Sequence, residues 1–299
     1  MRIVSLTCSN TEIVCHLGLR DQLVGVDDHS DFPADALEGV PRVGPDLQID
    51  VERVAALEPD IVLASLTVPG HEKVVESLRI AGLPYVAPEP KSLADVARDL
   101  RELGTLLGVP ERGRRAAREF DAELDELAVS AEGAAGRSSP RVLIQWWPKP
   151  VIVPGRSSWA QGLLDLVGAR NVLDEDVESR PLREEELGEL EVDLVVLSWC
   201  GVEAHKVRPD VVIENPRLQS TAAVRNGHVA CVPEAWLGRP SQRLVSGARA
   251  LSRIVDAVRN GQDLPSSYAS AEESARQLRL EARRMEEAES ATPRRTTVS

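Results

Sequence analysis

The sequence predicts an α/β protein made of two Rossmann-like lobes that are joined by a single long, rigid helix. Two observations carry this prediction: one segment recurs in the second half of the chain, and a long helical pattern separates the two copies. The first copy is LEPDIVLAS at 57–65, and the second is LEVDLVVLS at 190–198. Each copy follows a helical pattern and contains a short apolar run typical of a buried strand. The chain is therefore predicted to contain one unit twice.

Composition limits the classes of protein to which the chain can belong. Its 299 residues, 42% of them hydrophobic, can fill a core in each of two lobes. A net charge of −13 argues against nucleic acid as a partner, because a phosphate backbone would be repelled.

No apolar run reaches the roughly 18 residues of a membrane span, so we expect no membrane insertion. No secretory signal pattern is present. We expect a cytoplasmic protein as the chain is written, or a periplasmic or cell-surface one if its start is processed.

The first lobe, 1–109, begins with a strand at 3–6, and the pattern Ser9-x-x-Glu12 predicts a capping box for the helix that follows. A second strand at 23–26 leads into the polar loop 27–31. In open α/β sheets, ligands bind beyond the carboxyl ends of the strands. This loop is therefore a candidate wall of a cleft.

The rest of the first lobe alternates helices and strands. Asp50 is predicted to cap a helix over 51–57, and Ser92-x-x-Asp95 is predicted to start a helix that ends near 107. Between them lie the strand of the first repeat, a helix over 71–81 and a strand over 85–87. Such alternation predicts a mainly parallel sheet.

A long helical segment from 110 to 136 separates the two lobes. Its apolar residues Ala117, Phe120, Leu124 and Leu127 recur at intervals of three and four, which predicts a helix with one apolar stripe to about 131. A flexible linker would be rich in Gly and Ser. A continuous helix instead holds the two lobes at a nearly fixed distance.

The second lobe, 137–260, repeats the theme of the first. Strands are expected at 142–145 and 193–198, and helices at 159–167, 184–189 and 241–258. Beyond it, the charged tail 261–299 is expected to contain a surface helix over 269–288 and a disordered end. We assign that tail no function.

Motifs of catalysis are missing from the sequence. It contains no HExxH pair, nucleophile elbow, Walker loop or GxGxxG fingerprint. The cysteines show no spacing typical of a zinc site. We therefore expect a protein that is not an enzyme and that has no catalytic residue, no catalytic cofactor and no metal site. Among the histidines, only His29 in the polar loop is a candidate site residue.

Tryptophans are concentrated just after predicted strands. The chain has five of them, more than its two tyrosines and two phenylalanines together. Trp146, Trp147 and Trp199 lie at such positions, and Trp236 lies in the loop 233–240. An indole ring there offers a flat apolar wall and one N–H donor to a large planar ligand. The alternative is that these side chains pack in the core or between the lobes.

Several short motifs occur in a specific order between residues 2 and 258. They are IVSL at 3–6, NTE at 10–12, LVGVD at 23–27, SDFP at 30–33, PRVG at 41–44, EPDIVLA at 58–64 and AVRNGHV at 223–229. This series resembles the substrate-binding proteins of ABC importers for cobalamin and iron-siderophores. Within that family, the chain looks most similar to the vitamin B12-binding branch.

The resemblance implies the class III periplasmic-binding-protein fold, with a ligand held in the cleft between the lobes. The implied function is capture of a corrinoid such as cobalamin for an ABC permease. The implied cleft residues are Asp28, His29, Trp199, Trp236, Arg239 and Arg243, to which position adds Trp146 and Trp147. Glu72 and Glu203 match the acidic residues that dock on permease arginines, and His29 is a candidate axial ligand of cobalt.

Four alternatives remain open at this stage. The ligand could be an iron-siderophore or haem instead of a corrinoid, and a cytosolic homologue could act as a corrinoid carrier or sensor. An enzyme with a metal cluster would use the cysteines as cluster ligands, namely Cys8, Cys15, Cys200 and Cys231. A structural or sensory module would signal through the charged tail.

Overall fold

The computed structural model describes residues 1–132 and 138–270, together with positions 273, 276, 277, 279, 280 and 283. The expected boundary at 136, most of the expected tail helix 269–288 and the expected disordered end therefore lie outside the described residues.

The first lobe contains a parallel sheet flanked by helices. Its strands are β1 (Ile3–Ser5), β2 (Leu23–Val26), β3 (Ile61–Leu63) and β4 (Tyr85–Val86), in the order β2-β1-β3-β4. Its helices are α1 (Cys8–His16), α2 (Val51–Ala56), α3 (His71–Ile80) and α4 (Leu93–Leu106), and α5 (Pro110–Glu132) leads to the second lobe. The long helix predicted between the lobes is thus present.

The second lobe contains a second parallel sheet and a small antiparallel one. Its strands are β5 (Arg141–Gln145), β6 (Trp147–Pro148), β7 (Val151–Pro154), β8 (Arg170–Asn171), β9 (Ser179–Pro181), β10 (Leu194–Leu197) and β11 (Val229–Cys231). Its helices are α6 (Trp159–Leu166), α7 (Glu184–Glu189), α8 (Asp210–Ile213), α9 (Ala222–Arg225), α10 (Glu234–Leu237) and α11 (Leu244–Arg259), followed by α12 (Ser266–Ala269).

The two parallel sheets have the same topology. The second has the order β11-β10-β5-β8, which matches β4-β3-β1-β2 of the first. The two copies of the repeat supply β3 and β10, and each pairs in parallel with the first strand of its lobe. The two-lobed α/β fold predicted from the repeat is confirmed.

The antiparallel sheet, formed by β6, β7 and β9, was not predicted from the sequence. Its strands are two to four residues long and contain prolines, so they lack the apolar alternation by which strands are recognised. It places Trp147 in a hairpin rather than in a loop beyond a strand.

Helix caps differ between prediction and structure at one place. Asp50 accepts a hydrogen bond from the Arg53 amide, and Ser92 accepts one from the Asp95 amide, as predicted. The predicted capping box at Ser9 is wrong, because α1 begins at Cys8 and its N-cap Thr7 makes no side-chain cap. Glu12 does not turn back to the helix start, since its carboxylate is bound by the second lobe.

Both sheets pack one face on the same layer of helices. In β1 and β3, Ile3 and Leu63 belong to an inner core, whereas Val4 and Val62 belong to a separate outer core. The inner core continues through α4, α5, α6 and α11 to Ile144 of β5. The two lobes therefore share one hydrophobic core, which resists their separation because burial of apolar surface drives packing.

Helices α4 and α5 approach closely where two glycines meet. A Cβ atom at Gly104 would lie 2.5 Å from the Cα of Gly113, which is too short for any real contact. The missing side chains allow the backbones to touch at the base of the shared layer.

We expect Gly104→Ala to destabilise the protein by about 1–3 kcal/mol, because the new methyl group must force α4 from α5. Gly188→Ala is the control, since Gly188 lies in α7 with no neighbour closer than 3.6 Å to a Cβ atom. That change should be neutral or stabilise by up to about 1 kcal/mol, through helix propensity. Urea unfolding measures both, and equal effects would contradict the close approach.

Candidate functional site

Three consecutive residues of α1 connect it to three different parts of the molecule. The Asn10 amide donates to the carbonyl oxygen of Ala64, just after β3, at 2.7 Å. The Thr11 hydroxyl lies 2.7 Å from that of Ser30, in the loop after β2. Glu12 reaches the second lobe. All three side chains are buried, so the NTE motif fixes where the first lobe meets the second.

The Glu12 carboxylate is the centre of this meeting point. It accepts hydrogen bonds from Nη1 of Arg239 at 3.1 Å, from Nη1 of Arg243 at 3.0 Å and from the Ser241 hydroxyl at 2.6 Å. Glu12 is only 1% exposed. A buried charge is tolerated only when it is paired and hydrogen-bonded, and these donors meet that need.

Arg239 also forms ion pairs with two further carboxylates. Its Nε donates to Glu234 at 2.8 Å, and Nη1 and Nη2 donate to the two carboxylate oxygens of Asp31 at 2.5 and 3.2 Å. Burial disfavours the charge of Arg239, but Glu234, Glu12 and Asp31 outweigh it and raise the pKa of Arg239. Burial also raises the pKa of Glu234. The guanidinium thus stays charged between the lobes.

Arg243 packs behind Arg239. The two arginines and their partners Glu12, Asp31 and Glu234 are called the Glu12 cluster below. Its guanidinium carbon lies 3.9 Å from the centre of the Phe32 ring, a cation–π distance. The turn that presents both arginines depends on Gly247, where a Cβ atom would lie 2.1 Å from the carbonyl oxygen of Trp236. Helix α11 can therefore pack directly on α10.

The loop after β2 is held from inside by Asp27. Its carboxylate accepts from the His29 amide at 2.9 Å and from the Ser30 hydroxyl at 2.5 Å, and its burial raises its pKa. From outside, Arg42 of the PRVG motif donates to the carbonyl oxygens of Asp27 and Ser30. Gly44 of the same motif has a φ of +103°. Its amide donates to the Asp28 carboxylate, and its carbonyl oxygen accepts from the Asp28 amide. The loop is thus preformed.

A cavity of about 380 Å³ opens between the lobes beside these loops. It lies beyond the carboxyl ends of β2, β10 and β11, where ligands bind in open α/β folds. Its lining residues are Asp28, His29, Asp31, Gly201, Val202, Glu203, Ala204, Pro233, Glu234, Ala235 and Arg239.

Of the residues expected at the cleft, Asp28, His29 and Arg239 line this cavity, and so does Glu203. Nε2 of His29 lies 3.9 Å from a carboxylate oxygen of Asp46. Arg243 is 3% exposed and is bonded to Glu12 instead of facing the cavity.

The four tryptophans expected to wall the cleft do not line this cavity. Trp199 and Trp236 are buried in the cores, and the Trp199 indole donates to Gln145 at 2.9 Å. The Trp146 ring stacks 5.6 Å from that of Trp159. Trp147 is 40% exposed on its hairpin. Large rings gain most from burial, which explains why core packing takes most of them.

The two candidate docking residues lie on the surface, one in each lobe. Glu72 is exposed in the first turn of α3, where it accepts from the Gly70 amide at 2.8 Å. Glu203 is 63% exposed and pairs with Lys206 at the rim of the cavity.

Sequence reasoning missed Glu12, Asp31 and Glu234. Glu12 and Asp31 lie in the NTE and SDFP motifs, but the local pattern assigns Glu12 to a capping box and Asp31 only to the polar loop 27–31. A signal was present, because two arginines expected in one cleft require carboxylate partners.

A larger cavity of about 960 Å³ lies wholly in the second lobe. It is lined by the β6–β7 hairpin, the start of α7 and residues 210–216. It lies beside a separate core of the second lobe, which includes Leu143 and Leu187. No residue of the first lobe reaches it. The interlobe cavity is the better candidate, because residues of both lobes converge there on a buried ion cluster.

A second ion pair joins the loop after β4 to residue 178, just before β9 of the second lobe. Lys91, after β4, lies 2.9 Å from Glu178 and 2.9 Å from Glu89. These side chains are about half exposed, so water screens the pair and it contributes little stability.

The cysteines do not form the cluster that the enzyme alternative requires. None of the four is in a disulfide, and within residues 1–132 and 138–270 no three His, Cys, Asp or Glu side chains are grouped so that they could hold a metal ion. None of the helices in the described part of the chain is long and apolar enough to cross a membrane.

The chain is similar to known binding proteins over most of its length. A model of the family described as periplasmic binding protein matches residues 3–235. A vitamin B12-binding protein of Pectobacterium carotovorum is 27% identical over 261 residues, which are 87% of this chain and 90% of that protein.

Solved structures give the same fold. The periplasmic vitamin B12-binding protein BtuF of Vibrio cholerae has a TM-score of 0.70 at 26% identity, and the match covers 86% of this chain and 97% of that one. A periplasmic haem-binding protein of Pseudomonas aeruginosa has a TM-score of 0.73 at 30% identity, with coverages of 89% and 95%.

We expect Glu12→Gln to lower the free energy of unfolding by about 3–5 kcal/mol, because it leaves buried guanidinium charge without its central carboxylate. The matched control is Glu123→Gln, which removes an exposed Glu–Arg pair between α5 and α11. That change should cost less than about 1 kcal/mol. Chemical denaturation compares the two, and a Glu12 effect no larger than the control would refute the role of Glu12.

Proposed function

Because the chain belongs to the periplasmic binding protein family, we propose that it is a non-enzymatic binding protein that captures a corrinoid such as cobalamin for ABC-type uptake. The observation that carries this proposal is the cavity between two lobes that are held together by the Glu12 ion cluster. Its volume of about 380 Å³ lies at the lower end of the range of about 300–1,000 Å³ that is typical of sites for drug-sized ligands, so a ligand as large as a corrinoid would extend out of the opening. The relatives named for vitamin B12 align over most of the chain and support the choice of ligand.

Binding would involve little movement of the lobes. The shared inner core and the Glu12 cluster both oppose a hinge, so the ligand would enter a site that is largely preformed. A preformed site loses less conformational entropy on binding. The hydrogen bonds that hold Asp27 and Arg42 fix Asp28 and His29 at the edge of the cavity.

Haem is the second candidate ligand, and one observation favours it. His29 lines the cavity, and an imidazole can serve as an axial ligand of haem iron or of cobalt. The haem-binding relative from Pseudomonas aeruginosa has a similar structure. Iron-siderophores are the third candidate ligands.

The partner would be an ABC permease that contacts the exposed acids Glu72 and Glu203, one from each lobe. Uptake by an importer begins outside the cytoplasmic membrane, so we place the protein there, in the periplasm or on the cell surface. A cytosolic corrinoid carrier or sensor is the alternative, and it would have no use for such docking residues.

We expect cyanocobalamin to bind with saturation at one site per chain, and Ala204→Trp to abolish this binding by filling the cavity. Ala81→Trp is the control, since Ala81 is exposed at the end of α3, away from the cavity. Calorimetry with cyanocobalamin, haem and ferric desferrioxamine separates the ligands. Binding of haem alone, or equal loss in both variants, would contradict the proposal.

We expect Glu72→Gln to reduce uptake of labelled cyanocobalamin by cells about tenfold, with unchanged affinity of the purified protein, because a charge pair with the permease is lost. Glu76→Gln is the control on the same helix, where Glu76 pairs with Arg79. A loss of uptake that is the same for both variants would argue against docking through Glu72.

A further inference from the structure

Among the described residues that line the interlobe cavity, four carry a carboxylate and one carries a guanidinium. The carboxylates belong to Asp28, Asp31, Glu203 and Glu234, and the guanidinium belongs to Arg239. Behind Arg239, Glu12 and Arg243 form a buried ion pair that adds no net charge. Negative charge therefore exceeds positive charge at the place where a ligand would sit.

Arg239 has little capacity left for an anionic ligand. A guanidinium has five N–H donors, and four hydrogen bonds of Arg239 already go to Glu12, Asp31 and Glu234. The paired donors that would grip a carboxylate at two points are committed to Asp31. A ligand carboxylate could be bound at two points here only by displacing one from the protein.

The carboxylates, in contrast, have free acceptor capacity. An ionised carboxylate offers about four acceptor positions, and Asp31 uses two of them on Arg239 while its side chain stays 58% exposed. Glu203 is 63% exposed, and Lys206 holds one of its oxygens from the rim. Asp28 is exposed and bonds the Gly44 amide through one oxygen.

Resting on the corrinoid-binding function proposed above, we propose that this cleft selects its ligand by charge. It takes ring ligands whose rim carries amide N–H donors and whose net charge is neutral or positive, and it rejects ligands whose rim carries carboxylates. Amide donors find the acceptors of Asp28, Asp31 and Glu203. Carboxylates meet like charges in a partly desolvated cleft, which opposes their binding.

The selection distinguishes the two candidate ligands of the site. A corrinoid of the cobalamin type carries primary amides around its ring, whereas haem carries two propionate groups. The chemistry of the lining thus favours the corrinoid, even though an axial histidine would suit either metal.

A matched pair of ligands tests the inference. Cyanocobalamin is compared with its monocarboxylate derivatives, in which one ring amide has been hydrolysed so that size and metal stay the same. We expect the monocarboxylate that faces the lining to bind about tenfold more weakly or worse. Aquacobalamin, which carries one more positive charge, should bind at least as tightly as cyanocobalamin.

Protein variants assign the discrimination to the lining. The double variant Asp28→Asn, Glu203→Gln leaves the Glu12 cluster intact and should reduce the difference between amide and carboxylate ligands several-fold. The control is Asp174→Asn with Glu76→Gln, which removes the same two residue types from exposed positions, one in each lobe. Calorimetry of each protein with each ligand gives the affinities.

Equal affinity for cyanocobalamin and all its monocarboxylates would overturn the charge selection while leaving the corrinoid function standing. A discrimination that persists unchanged in the Asp28, Glu203 variant would overturn its assignment to these residues. Absence of binding by every corrinoid would overturn the proposed function and the inference that rests on it.

Discussion

The meeting of the two lobes depends on one buried carboxylate, that of Glu12. It lies in α1 of the first lobe, yet its three side-chain donors come from the segment between α10 and α11. Glu12 compensates the buried charge of Arg243 and shares that of Arg239 with Asp31 and Glu234, and loss of one partner from such a buried set costs several kcal/mol. The position of Arg239, and through it that of Asp31, follows from this pairing. Glu12 and Arg243 lie behind the cavity, whereas Arg239, Asp31 and Glu234 form part of its lining.

The shared layer of helices opposes any change in the relative position of the two lobes. Helices α4, α5, α6 and α11 bury the inner faces of both sheets in one core, so separation of the lobes would expose apolar surface as well as break the Glu12 cluster. The fold places both sets of loops, after β2 and after β11, at the same opening. Rigid scaffolds that carry short functional loops are a common way to preform a binding site.

Local patterns in the sequence predicted the parts of the fold that local interactions determine. The repeat predicted β3 and β10, the apolar stripe predicted α5, and the caps at Asp50 and Ser92 were correct. The pattern failed where a long-range partner decides the role of a residue. Glu12 fits a capping box locally, but Arg239, 227 positions away, takes its carboxylate. The tryptophans show the same dependence on long-range contacts, since their positions along the chain do not reveal which surroundings the ring packs against.

Hydrogen exchange of backbone amides, measured with and without cyanocobalamin, tests most directly that the ligand lies between the lobes. The account predicts slower exchange in the loops 27–31, 200–204 and 233–239, which border the interlobe cavity. It predicts unchanged exchange in 148–151, 182–187 and 210–216, which surround the larger cavity of the second lobe. Protection of the second group alone would contradict the account, because it would move the site away from the residues that Glu12 organises.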